Sequence, residues 1–414
     1  MATATKLTSA LSLALLAMLS LTTTAGCASD VGDADEDDLT EEQLAEALST
    51  DDDADADEDF ADDAAGDTAT SEDELSNADK QAFGLGVDAP AVIASPLYAG
   101  LRANWKDGST TLRTARTVFY VSNGDGKLDT TGLRTWVDAV KAGGLEPVVG
   151  VSVMRHGTTP VGHKTFRARF WKLLRQFPDV KSWGVVNEPD LELHGVDDKP
   201  AAAAKYFVDG SQVYRKCRIK KKCSASIRLI AGEFSYQGEV NSVPFWRAYG
   251  EAMLNQVKSH KLRALPATWA FHPYADTTGA TSTGTKAFTS FLDELEKDAK
   301  KPKGTFRVWL TETGTILERG QAGAETCDLK GVNPNGKPDL QYRGGKETYA
   351  LIKMARVDRV YWWHGIQAGP EWGGRWDSAL ADSAQTPRPA YCGLTKQPLA
   401  ACTGATSGRH CAPR

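Results

Sequence analysis

The sequence is short of the patterns that usually disclose a chemistry. No apolar run is followed by G-x-G-x-x-G or G-x-x-x-x-G-K-[ST], so the phosphate-binding grounds for a doubly wound open sheet are missing. G-x-S-x-G, H-E-x-x-H and any Cys/His nucleophile pattern are absent too, which sets aside the common serine, zinc and cysteine hydrolases. The seven cysteines include no C-x2-C pair and have no histidine at ligand spacing, which argues against a zinc centre. The longest apolar run, Leu11–Leu21, falls well short of the roughly 20 residues that span a bilayer. No nucleic-acid module accompanies the Lys-rich stretch from Lys216 to Lys222, which reads as a solvated turn, and no nucleic-acid partner is expected.

What is present is material for a large core. A chain of 414 residues, 41% apolar and 25% charged, is not wholly disordered. Its net charge of -6 conceals an acidic segment ahead of a basic body. Residues 30–80 hold 23 Asp or Glu against Lys80 alone, whereas residues 81–414 hold 46 Lys or Arg against 31 acids. Residues 28–80, dominated by Asp, Ala and Glu, offer too little apolar surface to offset chain entropy. They are expected to be a disordered, self-repelling linker.

Ahead of that linker, Lys6 precedes the apolar run, which ends in TTTAGC. This resembles a bacterial lipoprotein signal, in which small residues precede a cysteine that is lipidated. Ala25, Gly26 and Cys27 match the pattern, and Thr24 stands where such signals usually carry Leu. The resemblance implies that residues 1–27 are a signal peptide with a lipid anchor at Cys27, and that the protein is exported to the cell envelope or beyond. Membrane contact would run through the lipid alone. Setting Cys27 aside leaves six cysteines, an even number suited to an oxidising compartment. Cys217 and Cys223 flank a short loop and are expected to pair; the connectivity of Cys327, Cys392, Cys402 and Cys411 stays open.

From Phe83 onward, short apolar runs alternate with amphipathic stretches, the pattern of βα units around a parallel sheet. Eight runs are legible, at 83–88, 117–122, 147–153, 183–187, 228–234, 268–274, 307–312 and 360–365. Helical spacing is plain at Leu133, Trp136, Val137 and Val140, at Phe166, Phe170, Leu173 and Leu174, and at Phe288, Phe291, Leu292 and Leu295. Residues 81–414 are therefore expected to form a (β/α)8 barrel with a disulfide-bearing C-terminal segment. Functional residues in such barrels sit at the C-terminal ends of the strands. Those ends carry Asn187, Glu188 and Asp190; Glu233; His272 and Tyr274; Glu312; and Trp362, Trp363 and His364. Glu188 and Glu312 each close an apolar run that offers no other carboxylate.

The phrases WGVVNEPDL, HPY, WLTETG and YWWHG, in that order, resemble the strand-four, -six, -seven and -eight motifs of the clan A glycoside hydrolases. The stretches Trp376–Leu380 and Pro387–Tyr391 are similar to the loop entering the last helix of those retaining barrel enzymes. The resemblance implies cleavage of a β-linked polysaccharide, β-1,3-glucan among the candidates. Glu188 would be the acid/base and Glu312 the nucleophile, with the Glu188 pKa raised so that it stays protonated. It further implies that Asn187 holds the sugar 2-hydroxyl, Tyr274 orients Glu312 and Trp363 floors the subsite. His272 either binds substrate or braces the site. Trp372, on the loop after the eighth run, offers a flat face for sugar stacking, as Trp376 does less strongly. No cofactor or metal is called for, and a monomer is expected.

Two features cut against easy transfer. Many clan members carry an Arg near the end of strand two, whereas the run at 117–122 has none; Arg155 is the available substitute. If nothing replaces it, the rival reading is a catalytically weak carbohydrate-binding protein on the same barrel. The stretch Ser122–Gly132 resembles a calcium loop, but Val121 and Gly132 at its outer ligand positions supply no side-chain oxygen. It reads better as a turn with Asp129 or Thr130 capping the next helix.

Overall fold

The computed structural model describes residues 40–49 and, with gaps of which 320–337 is the longest, residues 82–402. The chain divides into Met1–Leu39 and Thr40–Arg414, and the second unit holds everything described below. Signal-peptide residues, Cys27, Cys327, Trp372 and Cys411 lie outside the described residues.

Eight parallel strands close into a barrel: β1 (Ala82–Gly86), β2 (Thr111–Tyr120), β3 (Glu146–Ser152), β4 (Ser182–Val185), β5 (Arg228–Ser235), β6 (Thr268–His272), β7 (Arg307–Thr313) and β9 (Val357–Trp363). Closure is made by β1 on β9, from Ala82 opposite Arg359 to Gly86 opposite Trp363. Two short strands, β8 (Glu318–Arg319) and β10 (Trp376–Asp377), form an antiparallel pair of their own. The helices are α1 (Glu41–Ser49), α2 (Pro90–Ile93), α3 (Pro96–Asn104), α4 (Thr131–Ala142), α5 (His163–Gln176), α6 (Pro200–Ile219), α7 (Glu239–Lys258), α8 (Tyr274–Gly279), α9 (Thr283–Asp298), α10 (Pro338–Ile352) and α11 (Pro389–Thr395). This is the (β/α)8 barrel expected from the sequence, and closure removes the open-sheet alternative.

The apolar runs become strands because the barrel buries both their faces. Val148, Ile230, Ala270, Trp309 and Tyr361 meet inside it. Outward-facing aromatics meet the helices, as where Phe271 stacks on Phe288 of α9 with ring centroids 4.8 Å apart. The three amphipathic stretches are α4, α5 and α9, each burying the apolar positions named above. In the turn before α4, Asp129 Oδ1 accepts from the Thr131 N–H at 2.9 Å, as a helix-entry carboxylate should.

Three expectations need correction. The second strand begins at Thr111, six residues before the apolar run, because threonines 111, 114 and 117 suit an extended backbone as well as apolar residues do. Within the 28–80 segment, residues 41–49 are helical and packed on the barrel domain. The Thr40 hydroxyl accepts from the Gln43 N–H at 3.2 Å while the Gln43 side chain accepts from the Thr40 N–H at 2.9 Å, a reciprocal cap. Leu44 and Leu48, four residues apart, are buried, and Arg167 of α5 donates to the Leu48 carbonyl. Composition hid this helix because two leucines suffice when a neighbouring surface completes their burial. Lastly, no disulfide joins Cys217 to Cys223 here. Cys217 is buried on the last turn of α6, and its hydrogen bond holds the half-buried Cys223 thiol below its ordinary pKa. Among the described residues a disulfide joins Cys392 to Cys402 and ties α11 to the segment after it.

A test of the α1 dock follows from its two anchors. Leu44→Asp places a charge at a site with no exposure, so amide-exchange protection of residues 41–49 should vanish while that of the barrel strands is kept. Unchanged protection of α1 would refute the dock.

Candidate active site

The site is assembled at the C-terminal ends of the strands. After β4 the chain turns sharply, with Val186 and Glu188 both at positive φ, 68° and 45°. The turn is held by backbone bonds from Asn187 N–H to the Val151 carbonyl (2.8 Å) and from Glu188 N–H to the Glu233 carbonyl (3.0 Å). Left-handed backbone at a β-branched valine is costly, and it persists here because strands on both sides pin the turn. Its result is that Asn187 and Glu188 face the barrel mouth.

Glu312, at the end of β7, is the best-held of the acids. Its Oε1 accepts from Arg116 Nη1 at 2.7 Å and its Oε2 from the Tyr274 hydroxyl at 2.8 Å. Arg116 lies in the middle of β2 and is completely buried. It also donates through Nη2 to Asn187 Oδ1 at 2.7 Å, and through Nε and Nη2 to Glu233 Oε1 at 3.0 and 2.7 Å. Burial opposes its charge, but Glu233 and Glu312 outweigh burial and raise its pKa further, so it is a permanent cation.

Glu188 is held from β6. His272 Nδ1 lies 2.9 Å from Glu188 Oε1 and 3.8 Å from Glu312 Oε2, while its Nε2 lies 3.0 Å from Thr311 Oγ1. Burial favours the neutral imidazole, yet the carboxylates of Glu312 and Glu188 prevail and raise its pKa. Tyr274 stays a phenol, its pKa raised by burial and then by Glu312. Trp363 packs against Tyr274, and the Arg116 guanidinium sits 5.5 Å from its ring centroid.

Thus the structure brings together Glu188, Glu312, Asn187, His272, Tyr274 and Trp363. Two further residues belong with them. Arg116 was missed because the second strand was read as starting six residues late, and the expected gap in strand two is filled by it. Arg155 does not substitute: it is exposed in a turn closed by Thr158. Glu233 stood among the strand-end residues without a role.

Glu188, His272 and Glu312 present atoms within 4.8 Å of one another, close enough to invite the thought of a metal. The donor set fits one poorly. Both oxygens of Glu312 are already engaged, one by a guanidinium whose charge would repel a cation.

Asp190, two residues past Glu188, is buried and accepts from Ser235 N–H at 2.9 Å and from the Trp246 indole at 3.4 Å. Burial pushes its pKa up to about 7, with Glu188 adding to the rise.

No protein-family model matches the chain, and no curated protein matches it in sequence. Solved structures do match in fold. A fungal β-1,4-galactanase superposes with a TM-score of 0.50 at 14% identity, over 77% of this chain and 100% of that one. A family 39 glycoside hydrolase from Bacteroides cellulosilyticus WH2 gives 0.49 at 16% identity, over 78% and 64%. A monomeric β-xylosidase from Caulobacter crescentus CB15 gives 0.49 at 13% identity, over 76% and 66%. The chain thus spans just under two thirds of the length of the last two. At these identities the likeness concerns the fold.

The raised Asp190 pKa carries a sign. Well below its ordinary pKa of 3.8 the group is neutral whether the chain is folded or not. As pH rises toward 7 the unfolded chain releases this proton first, so the folded state loses stability. Asp190→Asn removes the titration, and the drop in unfolding midpoint between pH 4 and pH 8 should be smaller in the variant. An equal drop in both proteins would contradict the assignment.

Proposed function

We propose that this protein is a retaining glycoside hydrolase acting on a β-linked polysaccharide. The observation that carries the reading is the pair of carboxyls at the barrel mouth, Glu188 and Glu312, each placing an oxygen within 4.8 Å of the other. Retaining enzymes need their two carboxyls about 5 to 5.5 Å apart, whereas inverting enzymes hold them farther apart to admit a water.

In this reading Glu188 gives its proton to the glycosidic oxygen as Glu312 attacks the anomeric carbon. The leaving sugar departs with that proton, and a covalent glycosyl ester remains on Glu312. Glu188, now ionised, takes a proton from water, the water oxygen attacks the anomeric carbon, and the ester bond breaks to restore Glu312. Arg116 and Tyr274 hold Glu312 in line for attack, and His272 holds Glu188. Asn187 Oδ1 is committed to Arg116, which turns its amide N–H2 group toward the mouth, where it can donate to a sugar 2-hydroxyl. Trp363 provides an apolar floor for the pyranose ring.

The rival reading, a barrel that binds glycan without cleaving it, was motivated by an apparent lack of a strand-two arginine. Arg116 removes that motive. β-1,3-Glucan leads the substrate candidates, and stacking by Trp372 belongs to the same proposal. Export with a lipid anchor at Cys27 and a monomeric state also remain part of the proposal. Among the described residues no helix is long and apolar enough to cross a membrane.

The test is reducing-end release from β-1,3-, β-1,4- and uronate-containing polysaccharides by the full chain. Glu188→Gln and Glu312→Gln should each lose at least about a hundredfold in rate. Proton NMR of the first-formed product should show the β anomer. Release with inversion would overturn the retaining mechanism. No release from any polymer, with retained binding, would establish the rival.

A further inference from the structure

Glu233 lies inside the barrel against the pattern of its own strand. Strict alternation would send residues 230, 232 and 234 to the same side. Ile230 belongs to the interior cluster, yet Phe234 packs outward on Phe245 and Trp246 of α7. The side changes at a bulge, where the register of β5 on β6 slips between Ala231 and Phe234. There Gly232 and Glu233 take φ of 91° and 50° in succession. Bulges beside active sites commonly re-aim a side chain, and this one aims a carboxylate at the barrel axis.

The space it enters has been cleared by two neighbouring strands. A Cβ built on Gly150 of β3 would lie 2.8 Å from Glu233 Oε2, and one on Gly184 of β4 only 2.2 Å away. Side chains at either position would fill the barrel and exclude the carboxylate. The carboxylate is an expensive filling. It has no exposure, and although Oε1 accepts twice from Arg116, Oε2 has no hydrogen-bond partner. A neutral amide would serve as well to receive the two N–H groups, so packing alone does not account for a charge here.

Its effect must be read through the groups around it. β2 contributes Arg116, β7 contributes Glu312, the turn after β4 contributes Glu188, whose N–H donates to the Glu233 carbonyl, and β6 contributes His272. Asp190 lies just beyond, bound to the N–H of Ser235. β3 and β4 face it with glycine. One guanidinium is therefore shared between two carboxylates, one buried beneath it and one at the mouth.

We propose that Glu233 is a positioning residue that divides the charge of Arg116 between itself and Glu312, so that the nucleophile is aimed by the guanidinium without being over-stabilised by it. This rests on the reading of Glu312 as nucleophile. With Glu233 ionised, Arg116 gives Glu312 one short hydrogen bond and little net attraction. Without that charge, the whole cation acts on Glu312, which becomes a weaker base and a weaker nucleophile.

The experiment compares wild type, Glu233→Gln and Glu233→Asp in the pH dependence of kcat/KM, alongside a pH titration of 13C-labelled glutamate carboxyls by NMR. Glu233→Gln keeps shape and loses charge. The acid limb should move down by about one pH unit and kcat should fall roughly tenfold. Glu233→Asp keeps the charge and should leave the acid limb in place even if kcat falls. An unmoved limb in Glu233→Gln would overturn the proposal. Should that variant fail to fold, the wild-type titration decides: Glu233 ionised throughout the active range supports the proposal, and Glu233 neutral there overturns it. A wild type that cleaves no polymer refutes the glycosidase reading separately. The downward shift of the Glu312 carboxyl titration in Glu233→Gln then tests the charge division without any turnover.

Discussion

The barrel centre is organised around one guanidinium. Arg116 reaches from the middle of β2 to Glu233 on β5, Glu312 on β7 and Asn187 after β4, and no part of it meets water. A buried cation of this kind is tolerable only when its donors are met by acceptors and its charge is balanced nearby. That requirement links four strands far apart in sequence, because each acceptor that meets the guanidinium comes from a different one. The cluster accordingly sets where the mouth residues point: Glu312 is aimed by Nη1, and Asn187 has its amide orientation chosen by Nη2.

Around this cluster the backbone is bent into unfavourable shapes. Val186, Glu188 and Glu233 all take positive φ at the ends of β4 and β5. Such residues cost on the order of 1–3 kcal/mol each and survive where surrounding structure over-determines them. Here the over-determination comes from outside as well as inside. Phe234, Trp246, Phe271 and Phe288 interlock behind β5 and β6 with centroid separations of 4.8 to 6.2 Å. A rigid aromatic wall lets the strand ends carry strain that a looser core would relax.

Much of the architecture was readable from periodicity. Seven of the eight apolar runs begin within about three residues of their strands, because the barrel buries strands on both faces and so demands continuous apolar character. The run that misled is β2, whose first half is threonine and arginine. Its threonines suit a pleated backbone, but hydrophobicity does not register them, and Arg116 went unseen inside them. α1 escaped for the reverse reason: its capping box was present in Thr40 and Gln43, yet the acidic composition around it pointed to disorder. The Cys392–Cys402 bond was not derivable from spacing, since four cysteines allow several connectivities.

Sequence alone determined the strand and helix periods, and with them a barrel whose strand ends carry Glu188, Glu312, His272 and Tyr274. Those are local properties, written in neighbouring residues. Tertiary structure decided which groups share a charge. That Arg116 meets both Glu233 and Glu312, and that Gly150 and Gly184 leave room for a carboxylate, depends on distances across a closed barrel between residues 117 and 196 positions apart. The bulge that turns Glu233 inward depends on the register of β5 against β6, which no single strand specifies by itself.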